Sequence, residues 1–184
     1  MYKLILFILL FVPNIVLAGS MKMIGEPGHL NEVDRTIEIK MFDNYYEPNQ
    51  IEIKKGETIK FVVKNLGELV HEFNIATKEM HIKHQPEMLK MVAMEILLGD
   101  RIDMKKMKEA AKSDHSMAHS HSNSVLLEPK KIGELVWKFT TDAKLEAACN
   151  VPGHYQSGMV AKIKKLLILQ IMLLGKIHIL LNIF

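Results

Sequence analysis

The residues of this chain most able to do chemistry lie in one string, Cys149-Asn150-Val151-Pro152-Gly153-His154-Tyr155-Gln156-Ser157-Gly158-Met159. A thiolate, an imidazole and a thioether recur at intervals of five, and Pro152-Gly153 sets a tight turn between the first two. Such a loop can surround one metal ion from three sides and needs a fourth donor from elsewhere in the chain. Soft thiolate and thioether donors combined with imidazole select copper over hard cations. Zinc also accepts Cys and two His, but it gains little from a thioether, so Met159 points to copper. Taken alone, Cys149 reads as a small buried hydrophobe and His71 as a core histidine on an inward strand face. The spacing, the Pro-Gly turn and the upstream strand histidine together point to a metal site.

The single cysteine gains meaning from the start of the chain. Residues 1–18 read as a signal peptide, with Lys3 ahead of the apolar run Leu4 to Val16 and cleavage expected after Ala18. The run is short for a membrane span and is broken by Pro13 and Asn14. An exported protein meets an oxidising compartment, where cysteines normally pair, yet one cysteine allows no internal disulfide. The formal charge of +3 is spread over lysines interleaved with Glu and Asp, without a phosphate-binding stripe. Nucleic acid is therefore not an expected partner.

The elements that must position these donors are short and mostly alternate with period two. After a polar leader over 19–34, expected to be loose, strands are expected at Thr36 to Met41, Ile51 to Lys54, Ile59 to Lys64 and Leu69 to Ile75. In the last of these, His71, Phe73 and Ile75 share one face. Alternation resumes at Ser124, with Ile132 to Phe139, a strand in which Leu145, Ala147 and Cys149 share a face, and Gly158 to Lys164. Pro48-Asn49 and Lys55-Gly56 mark turns. Seven or so such strands imply an all-β, antiparallel β-sandwich spanning 35–164.

The string from Cys149 to Met159 resembles the ligand loop of the blue copper proteins, the cupredoxins, and Leu69-Val70-His71-Glu72-Phe73 resembles the segment that supplies their first histidine. Phe42-Asp43-Asn44-Tyr45-Tyr46-Glu47-Pro48, followed by Ile51, Ile53, Gly56-Glu57-Thr58 and Asn65, is similar to the family's opening strands. Within the family, Ile24-Gly25-Glu26-Pro27-Gly28 and Asn123 to Pro129 look most like periplasmic copper-tolerance members. The resemblance implies a Greek-key sandwich holding one type 1 copper through His71, Cys149, His154 and Met159, in the periplasm. It also implies electron passage through the exposed edge of the His154 ring, in an apolar patch shared with Pro152 and Tyr155. One departure is Glu72, at a position where several electron carriers have Asn. A carboxylate close to the metal would favour Cu(II) and lower the potential.

Residues 77–123 form an insertion of a different texture. Met88, Met91, Met94 and Leu98 recur at helical spacing, a second helix is expected over Arg101 to Lys112, and Ser113 to Ser124 reads as flexible. Met80, His81, His84, His115, Met117, His119 and His121 are candidate secondary copper ligands, since thioethers hold Cu(I) and imidazoles hold either oxidation state. Met88, Met91 and Met94 read instead as adaptable packing. The tail over 165–184 is rich in Leu, Ile and Met, with Lys176 near its middle. It is long enough to touch or just span a membrane, although a mid-span lysine is costly.

The expected function is copper handling in tolerance, with redox change at the copper and further, looser copper in the insertion. A redox protein or a copper-efflux component would be the macromolecular partner. The alternative is a dedicated electron carrier between periplasmic redox enzymes. An enzyme is not expected, because one domain with the single His119-Ser-His121 pair cannot house further copper centres. Cuprous oxidation at the blue site itself is the one catalytic option.

Overall fold

Period-two alternation gives β2 (Arg35–Phe42) an inner face of Ile37, Ile39 and Met41, and β5 (Thr58–Asn65) an inner face of Ile59, Phe61 and Val63. These are adjacent strands in a computed structural model that describes residues 23–166. The signal-peptide segment 1–18, the first leader residues 19–22 and the tail from 167 onward lie outside the described residues.

Two five-stranded sheets face each other. The first runs β1 (Glu26–Pro27), β8 (Ile132–Lys138), β5, β2, β3 (Tyr45–Glu47). The second runs β4 (Gln50–Ile53), β10 (Val160–Lys165), β9 (Glu146–Ala148), β6 (His71–Ala76), β7 (Ser124–Leu127). This is the expected sandwich with one refinement: β2 pairs parallel with β5, and β4 parallel with β10, while the other pairs are antiparallel. Alternation along one strand carries no information on the direction of its neighbour, so these two pairings were not legible.

The space between the sheets is filled by an aromatic cluster. Phe61 lies 5.4 Å from Phe73 between ring centroids, and Tyr46 meets Phe73 edge-on at 5.8 Å. Each fully buried ring of this kind contributes about 1.5–3 kcal/mol through removal of apolar surface from water. The leader is not loose where it is described. Ile24 is fully buried, its carbonyl accepts a hydrogen bond from Trp137 Nε1 at 3.1 Å, and Glu26–Pro27 pairs with β8. At the other end β10 runs one residue further than expected, to Lys165, and the Leu166 amide donates to Ile53 O.

The insertion is ordered and carries its own small core. Helix α1 (Lys78–Ala93) starts earlier than the methionine spacing implied, because Thr77 caps it by accepting from the Met80 amide. Helix α2 (Met104–Ala110) is capped by Asp103, whose side chain accepts from the Lys105 and Lys106 amides. Met88, Met91, Met107 and Met117 pack with Val70, Ile96 and Leu97 into a second hydrophobic cluster, as expected for the first two, whereas Met94 is exposed. The stretch expected to be flexible holds a short 3-10 turn, His115–Ala118. Among the described residues, no helix is long and apolar enough to cross a membrane.

Candidate metal centre

β6 and β9 are neighbours in the second sheet and deliver the two protein ends of the site. His71 opens β6, fully buried, and Cys149 follows the last residue of β9. The chain then folds back on itself: the His154 amide donates to Val151 O at 2.9 Å, the Met159 amide to His154 O at 3.0 Å and the Cys149 amide to Met159 O at 3.2 Å. Gly153 sits at φ +90°, the left-handed conformation that the turn after Pro152 demands. β10 leaves from Val160, so the loop is tied at both ends to paired strands.

Three donors converge. His71 Nδ1 and His154 Nδ1 are 3.2 Å apart, Cys149 Sγ is 3.4 Å from His154 Nδ1, and it is 3.9 Å from His71 Nδ1. A triangle with these sides encloses a point about 2 Å from each corner, close to the bond lengths of nitrogen and sulfur to a first-row divalent ion. Met159 is fully buried and packs in the main core with Cys149. Burial lowers the pKa of both imidazoles, so both favour the neutral, ligating form; Asp43 partly offsets this at His71. Burial pushes the Cys149 thiol up to about 12, so metal uptake must displace its proton. The donor set fits copper.

Two carboxylates support the triangle, and neither was assigned that geometry from sequence. Asp43 Oδ1 holds the far nitrogen of the first ligand ring, His71 Nε2, at 2.8 Å and also accepts from the Glu68 and Leu69 amides. This is the carboxylate–histidine arrangement that fixes ring orientation at a metal. Gly67 makes room for it, since a Cβ there would collide with Asp43 Oδ1 and stand 2.9 Å from His71 Nε2. Asp43 lay within the family-like string, but nothing in that string marks it as a partner of a residue 28 positions on.

Glu72 is the second carboxylate. Its backbone amide donates to Cys149 Sγ at 3.3 Å, and its Oε2 accepts from the Asn150 side-chain amide at 2.7 Å. Its Oε1 turns the other way, toward His119 Nε2 at 3.1 Å, His84 Nε2 at 3.4 Å and Asn74 Nδ2 at 3.0 Å. Burial raises its pKa, but hydrogen bonds from His119 and His84 outweigh this and hold the carboxyl well below the usual range. Glu72, the departure noted in the sequence, thus supports the Cys149 loop through its amide and its Oε2.

Apolar residues surround the His154 ring as expected, though with a different membership. Leu69, Leu97, Leu98, Val151 and Pro152 line a shallow depression with His154. Tyr155 is not among them; its hydroxyl donates to Glu146 Oε1 at 2.6 Å and its ring faces His81.

The candidate secondary ligands divide. His84, His119 and His121 come together with Glu87, which sequence reasoning missed although it stands one helical turn after His84. Met80 packs partly buried against the main core. His81 is fully buried and is held by Asn150 Nδ2 at 3.2 Å from its Nδ1. Met117 is buried in the second cluster, where the 3-10 turn directs it inward, away from the imidazole group's surface. His115, at the start of that turn, is outside both groups of converging donors among the described residues.

A two-sheet sandwich that closes a Cys–His–His triangle with one return loop defines a cupredoxin-like metal protein. A family model described as a cupredoxin-like domain matches residues 10–93. The chain is 45% identical to the copper-resistant cuproprotein CopI of Pseudomonas aeruginosa over 153 residues, covering 76% of this chain and 80% of that protein. It is 31% identical to the CopI of Rubrivivax gelatinosus over 140 residues, covering 76% and 71%. Auracyanin from Roseiflexus castenholzii superposes with a TM-score of 0.51 at 17% identity, covering 73% of this chain and 99% of that one. Auracyanin B gives 0.54 at 10% identity, covering 78% and 96%. The two solved structures share the fold, and the chain belongs to the cupredoxin-like CopI family.

Proposed function

We propose that this protein binds one type 1 copper through His71, Cys149, His154 and Met159 after export to the periplasm, and there protects against copper, with the bound metal changing oxidation state. The observation that carries the reading is the Nδ1–Nδ1–Sγ triangle with sides of 3.2, 3.4 and 3.9 Å. Its corners are two imidazoles biased to neutrality and one thiol. Copper bound there would supply a one-electron couple. The protein's part is to hold the donors rigidly, so that neither oxidation state attains its preferred geometry. The tolerance role rests on the curated relatives, which carry copper resistance in their names.

The apolar depression beside His154 also supports an electron-transfer role. An apolar surface around the one partly exposed ligand ring is a place for a redox protein to dock. Copper tolerance and electron exchange are compatible, and the docking partner would be the acceptor or donor that resets the copper. Cuprous oxidation at this site would need such an acceptor.

The test is complementation. A strain lacking the protein should regain copper tolerance with the wild-type chain and not with Cys149→Ser secreted at the same level. Equal tolerance from both would remove Cys149 from the function. If residues 1–18 act as a signal peptide, wild-type protein is recovered from the periplasmic fraction; retention in the cytoplasm contradicts the export step.

A further inference from the structure

We infer that His84, His119, His121 and Glu87, with Glu72 at the inner edge, form a second metal site that takes Cu(II) through nitrogen and oxygen donors and shares Glu72 with the Cys149 centre. The four outer donors each offer one atom, and these atoms lie within 4.8 Å of one another. His84 Nε2 is 3.3 Å from His119 Nε2, His121 Nε2 is 3.2 Å from Glu87 Oε1, and His84 Nδ1 is 3.6 Å from Glu87 Oε2. The three rings stand 5.1 to 5.3 Å apart by centroid, and His121 meets each of the other two nearly edge-on.

Three imidazoles packed against each other are an unusual way to fill space. Their side chains are 12%, 3% and 36% exposed for His84, His119 and His121, and Glu72 behind them is fully buried. A divalent ion would balance the two carboxylates and give every ring nitrogen at the centre a partner. The chain goes out of its way to build the cluster. His119 adopts the left-handed conformation, φ 46° and ψ 41°, rare for a residue with a side chain. That reversal follows the 3-10 turn and brings both His119 and His121 back onto the helix that carries His84 and Glu87.

The site has an entrance. A cleft of about 170 Å³ opens beside it, lined by Met80, His81, His84 and His121 among others, so a thioether stands at the approach to the imidazoles. Imidazole and carboxylate donors without thiolate suit Cu(II), and among divalent first-row ions the stability order places copper above zinc. The connection inward is Glu72: one carboxylate oxygen faces His84 and His119, the other holds Asn150, and the residue's amide contacts Cys149 Sγ.

The experiment is a Cu(II) titration of the full chain, read by visible absorption and by electron paramagnetic resonance. The expected result is two equivalents: one with the thiolate-to-copper band, and one without it and with the wide hyperfine splitting of nitrogen and oxygen ligation. Cys149→Ser should keep only the second. The double variant His119→Ala/His121→Ala should keep only the first, and its intact visible band reports that the fold survived. The inference is overturned by a single equivalent in the wild type, or by a second equivalent that persists in the double variant. It is also overturned if zinc displaces copper from the second site at equal concentrations. Loss of the visible band in Cys149→Ser with the second equivalent intact separates this site from the first.

Discussion

Single side chains decide how well the metal is held. Asp43 touches no donor at the centre itself, yet it fixes the His71 ring through a 2.8 Å contact to Nε2. Asp43→Ala should weaken copper binding about 10- to 100-fold, the usual effect of losing such a support. A competition titration checks this, and an unchanged affinity would show that the strand alone orients the ring. Glu72 places a buried negative charge next to the thiolate loop. Glu72→Gln should raise the reduction potential of the bound copper, because the more positive Cu(II) state loses a compensating charge; a redox titration with no upward shift would refute that role. At this scale the sequence was clear for Cys149 and His154, which are spaced on one loop and meet with His71. It was silent on Asp43 and Glu87, whose partners come from other elements, and on the inward direction of Met117, because a polar flanking sequence hid the turn that points it into the second cluster.

Elements bring those side chains together. Strand alternation was legible because each strand has one face in the core, and it placed His71 inward correctly. The start of α1 was less visible, since its N-cap at Thr77 lies well before the methionine stripe that marked the helix. The turn before His119 depends on Asp114, whose side chain accepts from Ser116 and pairs with Lys90 Nζ on α1 at 2.6 Å. The Lys90 and Ser116 contacts hold the Asp114 carboxyl at about 2, below its ordinary 3.8. A depressed folded-state pKa stabilises the fold above the unfolded value and ceases to do so as pH falls through the folded one. Between 3.8 and about 2, wild type should therefore lose more thermal stability than Asp114→Ala does. Melting curves that remain parallel over this window would show that the contact to α1 carries no pH-dependent stability.

The described residues form a sandwich with one helical cap, and the cap is more than a connection between strands. It has its own core around Met88, Met91, Met107 and Met117, which also takes in Val70, the residue before His71. The cap therefore braces the strand that starts at the first ligand, and its His84 and His119 reach Glu72 from the outside. This joining of insertion and site could not be read along the chain. Composition marked the insertion as rich in His and Met, but contact between residues 72 and 119 arises only when β6 and the cap pack together. The two parallel pairings were hidden for the same reason.

The central claim is that Cys149, His71 and His154 close on one copper as a thiolate centre. The most direct test is the visible spectrum of the copper-loaded full chain beside that of Cys149→Ser. An intense thiolate-to-copper band in the wild type, bleached by reduction, restored by reoxidation and absent in the variant, is the predicted result. A wild-type chain that binds copper without that band, or a variant that retains it, would contradict the account.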